Sequence, residues 1–82
     1  MPKNITVFTR PTCAPCKALK TYLKNKGIAF SEIDVDAEPE ATETIIKMSG
    51  YSTVPFTLVT NQDDSQSMVS GFNLRRLNSI LL

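Results

Sequence analysis

The chain contains two cysteines, Cys13 and Cys16, and only two residues separate them. They follow directly on an apolar run, residues 5–9, whose β-branched and aromatic side chains are typical of a buried strand. A Cys-x-x-Cys pair at the beginning of a helix places its first sulfur near unpaired backbone N–H groups and the positive end of the helix dipole. Because both stabilise a thiolate, we expect the pKa of Cys13 to lie below its ordinary value. Cys13 is then the attacking nucleophile, and Cys16 is the thiol that resolves the intermediate.

The composition limits the classes of protein to which such a pair could belong. With 82 residues, 41% hydrophobic and 21% charged, the sequence predicts one small globular domain over residues 1–82, which could bury roughly 60–65% of its unfolded surface. The net charge of +1 and the scattered lysines and arginines argue against a nucleic-acid partner. No apolar run reaches the roughly 18 residues of a membrane span, and residues 1–4 carry no signal-peptide core. We therefore expect a cytoplasmic monomer with no membrane partner, in which close cysteines are catalytic or metal-binding rather than a permanent crosslink.

The hydrophobic pattern predicts the elements that must position this pair, in the order β-α-β-α-β-β-α. Strand, helix, strand, helix at the beginning implies a right-handed βαβ unit with parallel strands. A polar turn between the last two strands implies an antiparallel hairpin. The alternation of apolar and polar residues is interrupted near residues 31–32, so either a bulge or a frayed beginning of the strand is possible there. The predicted strands are residues 4–9, 28–35, 56–60 and 66–70, and the predicted helices run from about residue 13 or 14 to 26, over 38–49, and after Asn73.

Each predicted helix carries an apolar stripe that should face the sheet, and the lysines of the first helix, 17, 20 and 24, should face away from it. Asp36 and Asn73 should cap the second and third helices, because their side-chain oxygens can accept bonds from unpaired backbone N–H groups. The stripes comprise Cys16, Leu19 and Leu23 flanked by Ala18 and Tyr22, then Ala41, Ile45, Ile46 and Met48, then Leu74, Leu77, Ile80 and Leu81.

Three motifs in this order of elements resemble the glutaredoxin branch of the thioredoxin superfamily, over essentially the whole chain. They are VFTRPTCAPC at residues 7–16, Thr53-Val54-Pro55, and Ser70-Gly71-Phe72. A lone Cys-x-x-Cys is only moderately specific for this family, whereas the same pair followed by the other two motifs is a strong indication of it. The resemblance implies an α/β, thioredoxin-like fold of the glutaredoxin type, with a four-stranded mixed sheet flanked by three helices.

The resemblance also implies a substrate groove around the cysteines. In that family the proline of Thr-Val-Pro is cis and lies across from the dithiol, and the backbone of the residue before it pairs with the substrate chain. By itself, the sequence would equally allow Pro55 to begin an edge strand, where the missing N–H does little harm. The implied substrate-binding residues are Arg10, Thr12, Lys17, Thr53, Val54, Pro55, Gly71 and Phe72.

Four cations have two interpretations each. Arg10 or Lys17 could stabilise the Cys13 thiolate or attract an anionic substrate, although Lys17 could equally belong to the exposed lysine face. Arg75 and Arg76 could face an acidic partner, or they could be solvated charges near a helix end, where the dipole disfavours them.

Within the glutaredoxin branch, the motifs favour one subtype. Glutathione-dependent glutaredoxins usually carry Cys-Pro-Tyr-Cys and an acidic pair after the last strand, and this chain has neither. Ser-Gly-Phe resembles instead the NrdH-type redoxins, which serve ribonucleotide reductase and take electrons from thioredoxin reductase. Those proteins typically have tryptophan before Ser-Gly-Phe, where this chain has Val69.

The implied function is reduction of protein disulfides by a redox-active Cys13–Cys16 pair, with no bound cofactor or metal and with electrons from NADPH through a reductase. Thioredoxin reductase or glutathione would be the reductant, and ribonucleotide reductase or other disulfide proteins the acceptor. A glutathione-dependent glutaredoxin is the alternative.

Two further classes are weighed against a redox enzyme. A metal or iron–sulfur module needs about four protein ligands, so a chain with two cysteines and no histidine would need a dimer or outside thiols. A structural disulfide in a passive binding domain would close so short a loop that it would restrict the unfolded chain little. The residues therefore favour a thiol–disulfide oxidoreductase.

Overall fold

Four strands and three helices follow one another along residues 4–81, the part of the chain that this computed structural model describes. Their order confirms the predicted β-α-β-α-β-β-α. Residues 1–3, on which the expectation about a signal peptide partly rests, lie outside the described residues, and so does the side chain of Leu81. The elements are β1 Asn4–Thr9, α1 Ala14–Asn25, β2 Ser31–Asp34, α2 Glu40–Ser49, β3 Phe56–Thr60, β4 Gln66–Ser70 and α3 Leu74–Leu81.

The strands form one mixed sheet in the order β2-β1-β3-β4. β1 and β2 are parallel, with Val7 opposite Glu32, as the βαβ interpretation predicted. β3 is antiparallel to both β1 and β4, and Phe56 lies opposite Phe8 on one side and Ser70 on the other. The predicted hairpin between β3 and β4 is therefore confirmed, and β1 lies in the interior of the sheet, with its C-terminal end leading to the cysteines.

The alternation of side chains along the strands divides the buried residues between the two faces of the sheet. The first core lies under α1 and α3, and it contains Ile5, Val7, Leu19, Leu23, Val59, Val69 and Leu77. The second core lies under α2, and it contains Phe8, Val35, Ala41, Ile45 and Phe56. Because Val7 and Phe8 are neighbours on β1 and belong to different cores, α1 and α3 share one face and α2 covers the other.

The second strand is shorter than predicted, because Ile28 bonds to the last turn of α1 and only residues 31–34 join the sheet. Gly27 has a φ of 70°, the left-handed conformation common after helices, and the N–H of Ile28 donates to the carbonyl of Leu23 over 2.9 Å. Ile28 and Phe30 then pack against the first core without joining the sheet. β2 begins at Ser31, where the alternation slipped, so the frayed start was the correct alternative.

The predicted cap of α2 is wrong. α2 begins at Glu40 with Pro39 in the capping position, and no side chain caps it. Asp36 lies in the preceding turn, where its own N–H donates to Asp34 Oδ1 over 2.8 Å and its carboxylate pairs with Arg10. The cap of α3 is as predicted, because the N–H of Arg76 donates to Asn73 Oδ1 over 3.1 Å.

Two large apolar residues predicted to face the core are instead exposed, and so is Ala18, which was expected beside the stripe of α1. Ile46 is 46% exposed, because the stripe of α2 that meets the sheet is only wide enough for Ala41, Ile45 and the half-buried Met48. Leu74 is 44% exposed at the first position of α3, where Leu77 supplies the buried contact. Within residues 4–81, no helix is both long and apolar enough to cross a bilayer.

A polar network joins β1, β2 and α1 beside the first core. Thr9 Oγ1 donates to Glu32 Oε2 over 2.6 Å, and Lys20 Nζ donates to the same oxygen over 2.9 Å. The carboxylate satisfies the hydroxyl of Thr9, which is only 2% exposed. Lys20, expected to face solvent, is half-buried because of this pair. The Thr9 hydroxyl, and after it Lys20, lowers the pKa of Glu32 from its ordinary value.

We expect Glu32→Gln to lower the free energy of unfolding at neutral pH and to change it little in acid. Because the pKa of Glu32 is lowered in the folded protein, its carboxylate stabilises the fold above the unfolded-state pKa, and this contribution is lost as the pH falls through the folded-state pKa. The side chain is 39% exposed, so solvent screening keeps the expected effect to about 1 kcal/mol or less.

Urea unfolding of both proteins at about pH 7 and about pH 3 measures this difference. Glu43→Gln, on the exposed surface of α2, is the matched control. An equal pH-dependent loss in the control would contradict a specific role for the Glu32 network.

Candidate functional site

Cys13 occupies the N-cap position of α1. Its backbone is extended, with φ −94° and ψ 108°, and the helix begins at the next residue, Ala14. The N–H of Cys16 donates to Cys13 Sγ over 3.1 Å, as an N-cap oxygen would accept it in an ordinary helix. Pro15 lies in the first turn, where its lack of an N–H leaves no donor unpaired. The sequence therefore places the first sulfur at the positive end of the helix, as predicted.

The two sulfurs differ in their exposure. They are joined as a disulfide, with the Cα atoms 5.2 Å apart. Cys16 is completely buried, whereas Cys13 is half-buried. A partner can therefore reach Cys13 from outside, while Cys16 can reach only Cys13. This geometry fits the predicted division between attacking and resolving cysteine.

The segment around Pro55 lies directly against Cys13. The Val54–Pro55 peptide bond is cis, as the family resemblance implied. The carbonyl oxygen of Val54 lies 3.9 Å from Cys13 Sγ, although the two residues are far apart in the sequence. Pro55 is buried and Val54 is half-buried. β3, which begins directly after Pro55, lies between β1 and β4, so the edge-strand interpretation of Pro55 is wrong.

The end of β4 closes the same side of the site. The N–H of Gly71 donates to the carbonyl of Pro55 over 2.8 Å. Gly71 has a φ of 76°, a conformation that favours glycine, and it directs the chain from β4 into α3. Phe72, which follows it, is 40% exposed. The contacts thus join Cys13, Val54, Pro55 and Gly71, three segments that are distant in the chain.

The other predicted groove residues are less closely joined. Thr12, Lys17 and Thr53 are exposed, and within residues 4–81 none of their side chains forms a hydrogen bond with either cysteine. Their roles in substrate binding stay predictions.

Arg10 contacts the site through its backbone. Its carbonyl accepts the N–H of Cys13 over 3.1 Å, which fixes the loop between β1 and α1. Its guanidinium Nε donates to Asp36 Oδ1 over 2.9 Å, in a pair that is about half exposed. The side chain therefore connects this loop to the turn after β2. Arg10 would meet a substrate while it is paired with Asp36.

Tyr51 is a surface residue that the sequence interpretation missed. It is 69% exposed, and it lies in the loop that leads to Thr53. Ser49 Oγ accepts the N–H of Tyr51 over 3.2 Å and donates to its carbonyl over 3.0 Å, so the backbone at this position is held. The signal was present in the sequence, because an aromatic residue directly after the helix-ending Gly50 must lie on a loop.

The side chains that could bind a metal ion are not grouped in the described part of the chain. Among residues 4–81, no group of three or more histidine, cysteine, aspartate or glutamate side chains could hold a metal ion.

The family model named Glutaredoxin matches residues 5–62, which include both cysteines and the Val54–Pro55 segment. This chain belongs to the glutaredoxin family. Its similarity to glutaredoxin 3 of Escherichia coli K12 is 38% identity over 52 residues, 63% of this chain and 63% of that protein. It is also 38% identical to the glutaredoxin-like protein NrdH of Lactococcus lactis subsp. cremoris over 60 residues, 73% of this chain and 78% of that protein.

The structure has the same fold as solved redoxins. The NrdH-redoxin of Escherichia coli superposes with a TM-score of 0.74 at 34% identity, covering 94% of this chain and 93% of that one. That glutaredoxin-like protein has a thioredoxin-like activity profile. Membership of this family and the thioredoxin-like fold agree with the expectations drawn from the motifs.

In the reduced protein, we expect the two thiols to react with iodoacetamide at very different rates. Cys13 is accessible and accepts the N–H of Cys16, so it should react with an apparent pKa below the ordinary value of a cysteine. Cys16 is buried, so it should react at least about tenfold more slowly near neutral pH. Peptide mapping by mass spectrometry after labelling across a pH series measures both. In urea the two rates should converge, and faster labelling of Cys16 in the native protein would contradict the assignment.

Proposed function

We propose that this glutaredoxin-family chain is a dithiol–disulfide oxidoreductase that reduces disulfides in other proteins. The observation that carries the proposal is the asymmetry of the pair. Cys13 is accessible and accepts a helix N–H, whereas Cys16 is completely buried behind it. An attacking thiolate must be stabilised and reachable, and a resolving thiol must meet only the first sulfur.

The reaction proceeds in two exchange steps. The Cys13 thiolate attacks one sulfur of a partner disulfide, so the partner S–S bond breaks and the released partner thiolate takes a proton from solvent. Cys16 then loses its proton and attacks Cys13 Sγ, which breaks the mixed disulfide and releases the second partner thiolate. Two electrons pass to the partner, and the Cys13–Cys16 disulfide remains. The chain has no histidine, so we assign proton transfer to solvent and to Cys16 itself.

The position of Val54 supports a role in aligning the partner. Its carbonyl lies beside Cys13 Sγ, and the Gly71 bond to Pro55 holds the neighbouring backbone in place. A partner segment that pairs with the backbone of Val54 would bring its disulfide onto Cys13. Phe72, which is partly exposed, offers apolar surface at the edge of this groove.

For the source of electrons, we propose NADPH through thioredoxin reductase in the cytoplasm, with ribonucleotide reductase as the acceptor. Recognition of glutathione in its usual users relies on an acidic pair after the last strand, where this chain has Asn73 and Leu74 followed by two arginines. Docking to a reductase needs only an accessible Cys13 and the groove beside it. The similarity to two NrdH proteins supports the proposal. A glutathione-dependent glutaredoxin is the second candidate, and the match to glutaredoxin 3 favours it.

Substitution of each cysteine tests the order of the steps. Cys13→Ser should abolish disulfide reduction, because no accessible thiol remains. Cys16→Ser should accumulate a stable mixed disulfide with the partner, because the attacking thiol survives and the resolving thiol is lost. Non-reducing gel electrophoresis and mass spectrometry with a disulfide substrate measure both outcomes. A mixed disulfide trapped through Cys16 in the Cys13→Ser protein would contradict the assigned roles.

Reductase assays decide between the two sources of electrons. We expect NADPH with thioredoxin reductase to recycle the oxidised protein efficiently, and NADPH with glutathione and glutathione reductase to recycle it slowly. The rate of NADPH consumption, followed by absorbance with one disulfide substrate, measures both. Fast turnover with glutathione and none with thioredoxin reductase would assign this chain to the ordinary glutaredoxins.

A further inference from the structure

Two adjacent arginines, which form no ion pair with residues 4–81, lie on α3 beside the proposed groove. Arg75 and Arg76 are both exposed, and α3 contains no acidic residue. Within residues 4–81, neither guanidinium forms an ion pair, whereas Arg10 pairs with Asp36. Both cations lie in the first turn of the helix, at the end where the dipole disfavours positive charge. An anionic partner would offset that unfavourable position.

Arg76 is oriented by the protein. Its Nε donates to the carbonyl of Met68 on β4 over 3.2 Å, and its backbone N–H donates to Asn73 Oδ1. A guanidinium held through Nε has its Nη atoms left for other acceptors, and a planar pair of N–H groups matches a carboxylate in two parallel hydrogen bonds. Together with Asn73, Arg75 and Ser79, it lines an open concavity of about 330 Å³. The concavity therefore offers cationic and neutral donors to one anionic group.

A short series of contacts connects the concavity to the reactive sulfur. Cys13 Sγ is 3.9 Å from the carbonyl of Val54, and the next carbonyl, that of Pro55, accepts the N–H of Gly71. Only Phe72 separates Gly71 from Asn73, the cap of α3. A polypeptide whose disulfide lies at Cys13 can therefore extend along these contacts and place a residue near its cysteine beside the arginines.

We propose that Arg75 and Arg76 select disulfide substrates in which acidic residues flank the reacting cysteine. The pair acts on association, because opposite charges at the edge of an interface steer encounter more than they strengthen the final complex. This inference rests on the proposed disulfide reductase activity, and it names the class of polypeptide on which that activity acts fastest.

Peptides with one disulfide test the inference without any reductase. Three peptides differ only in the residues beside the cysteines, which are glutamate, glutamine or lysine. The protein is reduced beforehand, freed of reductant and mixed with each peptide, and the second-order rate constant of peptide reduction is measured by rapid acid quench. At low salt, we expect the glutamate peptide to react about 3–10-fold faster than the glutamine peptide and the lysine peptide to react more slowly than both. This preference should nearly vanish at about 1 M salt, where the Debye length is about 3 Å.

Variants locate the source of the preference. Arg75→Gln removes a charge that forms no hydrogen bond or ion pair with residues 4–81, so it should reduce the preference without affecting the fold, and Arg75→Gln/Arg76→Gln should abolish it. Lys24→Gln is the matched control. It removes one positive charge eight residues beyond Cys16 along α1, a distance of about 12 Å, and it should retain the preference.

The outcomes separate the two proposals. Equal rates for the glutamate and glutamine peptides, a preference that survives the double substitution, or a preference lost equally in Lys24→Gln would overturn this inference and leave the reductase activity intact. A protein that reduces none of the three peptides would overturn the proposed function, and this inference with it.

Discussion

The hydrogen bond from the Cys16 N–H to Cys13 Sγ is the interaction on which the site depends. It makes a sulfur the cap of α1, so the unpaired donors of the first helical turn serve the reactive atom. The local sequence permits this, because Pro15 supplies no competing N–H and Cys13 has an extended backbone. The bond also keeps the two cysteines close together, with Cys16 completely buried. This contact therefore supports a thiolate at Cys13, while the packing around α1 keeps Cys16 buried.

The surrounding fold serves to bring backbone from elsewhere to that sulfur. Because β1 and β3 are antiparallel, with Phe8 opposite Phe56, the C-terminal end of β1 and the beginning of β3 lie at the same edge of the sheet. Val54 and Pro55 precede β3 at that edge, and the bond from Gly71 joins them to the end of β4. Since these contacts use backbone atoms, they hold whatever the side chains at the surface are. The side chains can then vary with the partner.

Charges are arranged differently on the two sides of the site. On one side, Arg10 is paired with Asp36, and Lys20 is paired with Glu32, so their fields are largely neutralised close to the protein. On the other side, Arg75 and Arg76 have no acidic neighbour in α3. Two adjacent positive charges therefore face solvent beside the end of β4. Such an asymmetry can bias which polypeptides approach Cys13.

The sequence by itself determined the order of elements, the hairpin, the Asn73 cap and the spacing of the cysteines, because these depend on local periodicity and on residues near one another in the chain. It also suggested, through its motifs, that Pro55 faces the dithiol. The tertiary structure alone decided which apolar residues are buried: Ile46 and Leu74 fit the helical pattern but lie beyond the width of surface that the sheet covers. It likewise assigned Asp36 to Arg10 and Lys20 to Glu32. Those pairings join distant segments, and one-dimensional patterns carry no information about which distant segments meet.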